Sequence, residues 1–238
     1  MKKKYLIIGA SGSIGSALSQ QLYDDKKDCH LVGRNENLVK SLANKLNYSY
    51  SICDVQSLNF LNKLTKDLSE TEILGIAYCV GSIDIKPFRQ TQGKDFVSSF
   101  ILNLVSAAEI IRNFQSSLKK NNGSIVLFST VAAKKGFSNH SIISSTKAAV
   151  EGLTVSLAAE LAPNIRINCI APSLTKSKIS NFLIKDKKSA DNIAKLHPLK
   201  RLGEGIDAAS LAHFLLSKKS SWITGQILGV DGGRSAVA

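Results

Sequence analysis

A glycine-rich stretch, Gly9-Ala10-Ser11-Gly12-Ser13-Ile14-Gly15, directly follows a short apolar run at residues 5–9 and opens a helical pattern near 14–23. Glycines in such a loop allow a tight turn, let the backbone approach a ligand and permit close packing of helix on strand. The start of a helix also presents unpaired N–H groups that attract phosphate. The loop therefore predicts a site for a dinucleotide pyrophosphate. Its candidate binding residues are Gly9, Ser11, Gly12, Ser13, Ile14 and Gly15.

The rest of the chain alternates short apolar runs with helical patterns. The strand candidates, nearly continuous in hydrophobicity, are residues 5–9, 29–33, 48–53, 73–80, 124–129, 166–170 and 226–230. The helix candidates lie near 14–23, 36–46, 57–69, 95–119, 142–161 and 207–217, the second with Asn35 as its N-cap. Strands separated by helices imply right-handed crossovers. The pattern predicts an α/β fold with a doubly wound, parallel, Rossmann-like sheet of about seven strands and helices on both faces.

One domain is predicted over residues 1–238, because the sequence shows no repeat, low-complexity tract or linker. The single polar, lysine-rich interruption, residues 173–200, is interpreted as an inserted substrate lid. A domain boundary is disfavoured there, since the helix and strand that follow are needed to finish the sheet.

The composition limits the kinds of partner that this protein is expected to bind. Lysine and arginine number 31 against 18 acidic residues, a net charge of +13, which first raises nucleic acid as a partner. Only six of these cations are the arginines that nucleic-acid readers favour, and no recognition motif accompanies them. We therefore expect no nucleic-acid partner. No apolar run approaches the roughly 18 residues of a membrane span, so no membrane partner is expected either.

The four cysteines, Cys29, Cys53, Cys79 and Cys169, form no C-x-x-C pair and each lies in an apolar run. There a free thiol acts as a small hydrophobe, so we expect neither a disulfide nor a metal site. This cysteine usage is typical of a reducing cytoplasm.

Further motifs resemble the short-chain dehydrogenase/reductase family, and in particular its members similar to 3-oxoacyl-carrier-protein reductases. Asp54-Val55 follows the third strand candidate, Gly81 ends the fourth, and Asn103 lies in the middle of the long fifth helix. Lys147 begins Lys-Ala-Ala-Val, Pro172-Ser173 stands for the usual Pro-Gly, and the segment from Trp222 to Gly233 is close to the family's ending.

The resemblance implies roles for these residues. It places Asp54 and Val55 against adenine, and Pro172, Ser173, Thr175 and Ser177 near the nicotinamide. Ser177 stands where a carboxamide-binding Thr is common. The resemblance also implies a homo-oligomer, tetramer or dimer, formed through the helices around 95–119 and 142–161 and the last strand. Seven lysines of the 173–200 segment could attract an acidic substrate such as an acyl carrier, or they form a solvated surface.

The end of the second strand favours NADP(H) over NAD(H). An acidic residue there would hold a ribose 2′-hydroxyl and repel a 2′-phosphate. Here Gly33 takes that place and Arg34 follows it. Arg34 can grip a 2′-phosphate through a bidentate, charge-assisted contact.

The family's proton relay, carried over by resemblance, lacks its main member. It uses a Tyr four residues before the Lys, but Ile143 occupies that position, and all five tyrosines lie at or before residue 78. The spacing puts the family's Ser on Thr130, with Ser129 beside it. Thr keeps a hydroxyl that can hold a substrate oxygen, whereas the side chain of Ile cannot donate a proton.

Three interpretations stay open. In the first, His140 supplies the proton from the loop before the helix, or it is a surface residue; Ser144 is a weaker candidate, since it points about 100° away from Ile143. In the second, the enzyme needs less acid catalysis, as in hydride addition to a conjugated alkene, with Lys147, Thr130 or water as donor. In the third, the chain is a pseudoenzyme that binds NADP(H) as a sensor or scaffold.

Overall fold

Seven parallel strands form one sheet in the computed structural model, which describes residues 1–237. The strands are β1 (Lys2–Ile8), β2 (Cys29–Gly33), β3 (Ser49–Ile52), β4 (Thr71–Tyr78), β5 (Ser124–Phe128), β6 (Arg166–Pro172) and β7 (Ile227–Val230). Their order is β3-β2-β1-β4-β5-β6-β7, so the direction of winding reverses between β1 and β4. Such a reversal opens a crevice at the carboxyl ends of the strands. The predicted doubly wound parallel sheet in one domain is confirmed.

The described part of the chain has eight α-helices, most of which pack on the two faces of the sheet. They are α1 (Ser13–Asp24), α2 (Glu36–Leu46), α3 (Phe60–Asp67), α4 (Gly93–Phe100), α5 (Ser106–Lys120), α6 (Ser141–Leu161), α7 (Lys187–Lys195) and α8 (Gly205–Leu216). One buried core joins the sheet to α3, α5 and α6 through residues such as Leu64, Ile110 and Val150. The other joins it to α1, α2 and α8 through residues such as Leu18 and Ala212. Burial on both faces explains why the strands read as continuous apolar runs.

Local signals placed most element boundaries correctly to within a few residues. The predicted cap of α2 is confirmed, because the side-chain oxygen of Asn35 accepts from the Leu38 N–H at 3.1 Å. The prediction of one uninterrupted helix over 95–119 is wrong in its middle. A π-helical turn, Ile101–Val105, separates α4 from α5, and the Ser106 hydroxyl donates to the Ile101 carbonyl there at 2.8 Å.

The lysine-rich segment, residues 173–200, contains a 3-10 turn (Asn181–Leu183) and α7. It is anchored at its end to the C-terminal turn, where the Leu199 N–H donates to the Gly232 carbonyl at 3.1 Å. The following α8 and β7 complete the sheet beside β6. Among residues 1–237, no helix has both the length and the hydropathy that crossing a bilayer requires.

Candidate active site

A cavity of about 950 Å³ opens at the carboxyl ends of the strands, beside the winding reversal. Most candidate residues from the sequence line it: Gly9, Ser11, Gly12, Ser13, Ile14, Arg34, Asp54, Val55, Gly81, Thr130, His140, Lys147, Pro172, Ser173, Thr175 and Ser177. Gly15 and Asn103 are absent from the wall because they lie behind it, both buried. The fold therefore brings residues from all parts of the sequence to one cleft.

The glycine loop is shaped for close approach. Gly9 has a φ of +79°, in the left-handed region, and the Gly12 N–H donates to the Gly9 carbonyl at 3.0 Å. A Cβ on Gly15 would lie only 2.4 Å from the Gly9 oxygen, so this position admits no side chain. Gly12 is the N-cap of α1 and brings no side-chain cap, which leaves first-turn N–H groups for a ligand phosphate.

The end of β2 is built without an acid. A Cβ on Gly33 would lie 2.8 Å from the Val39 side chain, so packing against α2 disfavours any larger residue. The Arg34 side chain is exposed at the rim of the cavity, and no carboxylate of the described residues pairs with it. Asp54 follows the adjacent strand β3 and uses one oxygen to accept from the Gln56 N–H at 3.0 Å.

The π-helical turn brings Asn103 to the back of the cavity. Its Nδ2 donates to the Ser99 carbonyl at 2.9 Å, whereas its Oδ1 is buried with no hydrogen-bond partner among the described residues. A Cβ on Gly81 would lie 3.2 Å from this Oδ1 and 3.4 Å from the Lys147 Nζ. Gly81 therefore leaves room for the amide and the ammonium at one place, and π-helical turns often occur at functional sites.

Lys147 is a buried cation that lacks a carboxylate partner in the described chain. Its Nζ donates to the Phe128 carbonyl at 2.8 Å. Burial lowers the pKa of Lys147 to about 8, since an ammonium is poorly solvated there. An ammonium with this pKa can release its proton near neutral pH, and a strongly shifted group in a cleft marks a functional site.

The two hydroxyls after β5 have different surroundings. The Ser129 hydroxyl is buried and donates to Glu151 Oε1 at 2.8 Å, away from the cavity chemistry. The Thr130 hydroxyl accepts a long bond of 3.3 Å from the Ala132 N–H, so its own hydrogen is available to a ligand. Thr130 is therefore the better placed of the two to hold a substrate oxygen.

Ile143 lines the cavity and is 5% exposed. It lies one helical turn before Lys147 on α6, so an apolar surface occupies the place where the family resemblance leads us to expect a phenol. Ser144 lines a smaller neighbouring pocket of about 360 Å³ instead. The geometry thus disfavours Ser144 as a proton donor.

His140 reaches the cavity from the residue just before α6. Its Nδ1 lies 2.7 Å from the Ser138 carbonyl oxygen. Because a carbonyl only accepts, Nδ1 carries a hydrogen, and Nε2 carries a second one only in the imidazolium form. The ring also lies 5.5 Å from the Phe137 ring. His140 can therefore donate a proton at Nε2 when it is charged.

The lid side of the cavity contains a buried histidine that sequence reasoning missed. His197 is 2% exposed, and its Nδ1 lies 3.0 Å from the Ile193 carbonyl oxygen, which fixes a hydrogen there. Its Nε2 lies 2.8 Å from the Ser173 hydroxyl oxygen. This hydrogen bond links the two ends of the segment 173–200. The Ser–His spacing alone, in a lysine-rich segment, gave no signal of it.

The outer part of the cavity is mostly apolar. Side chains from the loop after β4, from the loop before α6 and from the lid form it: Ile83, Ile85, Phe137, Ile179, Leu183 and Ile193. Arg234, from the C-terminal turn, also lines the wall, and its guanidinium carbon lies 5.1 Å from the centre of the Phe137 ring. No sequence pattern indicated a role for Phe137 or Arg234.

The cysteines are all free, and three are buried. Cys79 lines the cavity, and burial raises its pKa to about 12. This thiol therefore stays protonated and does not act as a nucleophile.

The donor set fits a dinucleotide. A glycine cradle and an uncapped helix N-terminus suit a pyrophosphate. Arg34 and Asp54 line the cavity at the ends of the adjacent strands β2 and β3, and the buried Oδ1 of Asn103 lies beside Lys147 at the inner end. Fold and site together define a dinucleotide-binding α/β protein of the oxidoreductase class.

The family model described as enoyl-(acyl carrier protein) reductase matches residues 9–235. The chain belongs to the short-chain dehydrogenase/reductase family. Among curated relatives, a tropinone reductase homologue of Arabidopsis thaliana is 32% identical over 97% of this chain and 91% of the relative. The 3-oxoacyl-(acyl-carrier-protein) reductase FabG of Rickettsia bellii is 32% identical over 96% of this chain and 95% of the relative.

Solved structures agree with this assignment. A short-chain type dehydrogenase/reductase from Mycobacterium ulcerans has a TM-score of 0.90 at 25% identity, covering 98% of this chain and 90% of that one. ElxO with NADP bound has a TM-score of 0.85 at 26% identity, covering 98% of this chain and 99% of that one. A tyrosine-to-phenylalanine variant of ElxO with NADPH bound has a TM-score of 0.87 at 26% identity, with the same coverage of both chains.

Proposed function

We propose that this chain is an NADP(H)-dependent oxidoreductase that acts on a carbonyl/alcohol pair or a conjugated alkene and uses an atypical proton donor. The observation that carries the proposal is Lys147. A buried ammonium without a carboxylate partner destabilises a fold, so a purely structural scaffold gains nothing from it. Beside Asn103 and Thr130 at the cavity, the same ammonium has a chemical task.

The preference for NADP(H) rests on the end of β2. Gly33 has no room for an acid, and the free guanidinium of Arg34 suits a 2′-phosphate. The ElxO structures with NADP and NADPH bound support the same cofactor for a relative of this chain. NAD(H) lacks the 2′-phosphate that Arg34 binds in this proposal.

Each polar residue at the inner end of the cavity then has a role. When bound, the nicotinamide supplies or accepts the hydride. The Thr130 hydroxyl donates to the substrate oxygen, and Lys147 binds ribose and holds positive charge beside the reaction. Asn103 offers its buried Oδ1 as an acceptor within the relay. Ile143, together with the other apolar walls, excludes water from the reacting carbon.

The proton for a carbonyl oxygen comes from His140 in this proposal. Its Nδ1–H is held by the Ser138 carbonyl, which orients the ring and leaves Nε2 to donate. Reduction of a conjugated alkene needs less acid catalysis. For such a substrate the proton donor can be Thr130, water or Lys147, whose pKa is lowered.

A second candidate is a catalytically impaired protein that binds NADP(H) as a sensor or scaffold. Ile143 favours it, because a buried alkyl group cannot donate a proton. The ElxO variant that lost a tyrosine hydroxyl still holds NADPH, so cofactor binding in a relative tolerates such a loss.

The proposed substrate is a small molecule or an acyl carrier. The proposed assembly is a homo-oligomer, tetramer or dimer, and the proposed location is the cytoplasm. The lid lysines that could meet an acidic carrier are all exposed: Lys176, Lys178, Lys185, Lys187, Lys188, Lys195 and Lys200. Their exposure is equally typical of a solvated surface.

Single-turnover NADPH oxidation with a panel of ketones and enones tests the function. We expect wild type and the control Ser144→Ala to react alike, and His140→Ala to react with ketones about 100-fold more slowly or worse. Full ketone activity in His140→Ala would remove His140 from the relay. Tight NADPH binding with turnover only in Ile143→Tyr would instead establish the second candidate.

A further inference from the structure

Arg234 stands apart from the machinery described above, on the wall of the outer, apolar part of the cavity. Its guanidinium stacks on Phe137, with 5.1 Å from its carbon to the ring centre, and Phe137 in turn contacts His140. The stacking surface keeps the planar group in place on the side of the cavity where the proposed proton donor lies.

The charge of Arg234 has no protein counter-ion in the described chain. No carboxylate of residues 1–237 lies within salt-bridge distance of it, and its Nη1 is shielded from solvent without a hydrogen-bond partner. A guanidinium that is neither paired nor fully hydrated lowers the stability of the fold. An entering oxyanion would neutralise it.

The carboxylate in the same turn, Asp231, is bound to N–H groups and a hydroxyl of that turn, and the other charged groups near Arg234 are cationic. Lys135 donates its Nζ to the Arg234 carbonyl at 3.0 Å, which places a second cation beside the first. The other charged groups of the cavity wall are Arg34, Lys147, Lys178 and a single carboxylate, Asp54, at the far, β3 end. The outer cavity is therefore cationic and favours an anionic ligand.

The backbone under Arg234 is rigidly built. Asp231 accepts from the Gly233 N–H and the Ser235 N–H, each at 2.9 Å, and from the Ser235 hydroxyl. Gly232 and Gly233 have φ values of +62° and +87°, which permit the tight turn. A Cβ on Gly233 would lie 2.9 Å from the Pro198 ring, so the turn is fitted against the end of the lid.

We propose that Arg234 binds the carboxylate of the substrate, and that the substrate is an acid with an apolar body. The guanidinium meets the carboxylate, and the walls from Ile83, Ile179 and Leu183 contact the hydrocarbon part. This inference rests on the proposed function, because it names the substrate class for the same cavity. A phosphate ester shares the oxyanion chemistry, and the test separates the two.

The test is calorimetric titration of the NADPH-saturated protein with octanoate, its neutral match octanamide, and octyl phosphate. We expect octanoate to bind wild type at least ten-fold more tightly than octanamide and more tightly than octyl phosphate. Arg234→Gln should remove the advantage of the acid over the amide. Arg234→Lys, which keeps the charge but not the stacked fork, should retain part of it. Arg89→Gln, at an exposed arginine outside the cavity, is the control and should match wild type.

Equal affinity of wild type for acid and amide, or no binding of either, would overturn the inference without needing any variant. Tighter binding of octyl phosphate would replace the carboxylate with a phosphate. The NADPH titration that precedes each experiment keeps the two proposals apart. Failure of NADPH to bind would overturn the proposed function. The carboxylate site would still stand if the preference for octanoate over octanamide persists in Arg89→Gln and is lost in Arg234→Gln.

Discussion

Ile143 and Lys147 lie one turn apart on α6 and favour opposite conclusions about whether this site is catalytic. The first offers only an apolar surface, whereas the second is a buried ammonium that burial makes more acidic, with a pKa of about 8. A cavity without catalytic function would gain nothing from the buried ammonium of Lys147. We therefore propose that Ile143 leaves the chemistry in place and that the proton comes from another group.

Lys147 makes the stability of the apoprotein depend on pH. Its pKa falls from 10.5 in an unfolded chain to about 8 in the fold, so between pH 8 and 10.5 the unfolded state binds more protons. Stability then rises with pH through this window, and below pH 8 the full burial penalty applies. We expect Lys147→Met to be more stable than wild type at pH 7, by up to about 3 kcal/mol, and to lose that advantage by pH 10.

Urea unfolding followed by circular dichroism measures this difference, since Trp222, the only tryptophan, is almost fully exposed and reports poorly on folding. A difference between the two proteins that is the same at pH 7 and pH 10 would contradict the account of Lys147.

The proposed preference for NADP(H) over NAD(H) rests on Arg34. We expect Arg34→Ala to weaken NADPH binding about 10- to 100-fold and to leave NADH binding unchanged, because only the 2′-phosphate meets the guanidinium. Fluorescence titrations with both cofactors measure it. Equal affinity of wild type for NADH and NADPH would show that Arg34 is a solvated surface residue.

Most of the inner site could be predicted from sequence, because spacing along one element fixes direction. Ile143 and Lys147 lie one turn apart on α6, and the family resemblance gives Thr130 its position after β5. Arg234 could not be predicted, since it reaches the cavity only through the turn at Gly232 and Gly233 and its contact with Phe137. Such contacts between distant segments leave no periodic trace in the sequence.

At the scale of the element, the loop before α1 is the part that tolerates least change. We expect Gly15→Ala to lower stability by about 1–3 kcal/mol and NADPH affinity at least ten-fold, because the new methyl group would collide with the Gly9 carbonyl. Gly152→Ala is the matched control, since its Cβ would enter open space on α6. It should stabilise by about 0.5–1 kcal/mol and leave NADPH affinity alone.

Thermal unfolding and NADPH titration of both variants measure these changes. Equal NADPH affinities for Gly15→Ala and Gly152→Ala would show that the loop does not hold the cofactor.

Two elements could not be predicted from the sequence, each for a physical reason. The π-helical turn at Ile101–Val105 interrupts a segment whose apolar spacing reads as one helix, and one extra residue in a turn is too small a change to see in the pattern. The helix α7 is short and mostly polar and has no fully buried residue, so its sequence is hard to tell from that of a loop.

At the scale of the whole molecule, an exposed apolar surface supports the expected oligomer. Val97, Ile101 and Val105 are exposed on α4 and the π-helical turn, and Val155 is exposed on α6, against which they pack. Light scattering should give a multiple of 25.6 kDa for wild type and a smaller assembly for Val155→Asp. Leu58→Asp, at a fully exposed residue elsewhere, should match wild type. A monomeric mass for wild type would contradict the expectation.

The charge of +13 takes a different meaning at this scale. The lid lysines are exposed, and the cations with a proposed chemical role are Arg34, Lys147 and Arg234 along one cavity. A surplus of lysine on the surface supports solubility, whereas cations fixed in a cleft select an anionic cofactor and an anionic substrate.

The most direct test of the central claim is mass spectrometry of the products after incubation of wild type with a panel of 3-oxo acids, ketones and enones and NADPH deuterated at its transferable position. The account predicts a product with one deuterium on the reduced carbon, formed by wild type. It is contradicted if wild type binds NADPH but transfers no deuterium, while Ile143→Tyr transfers it to the same panel.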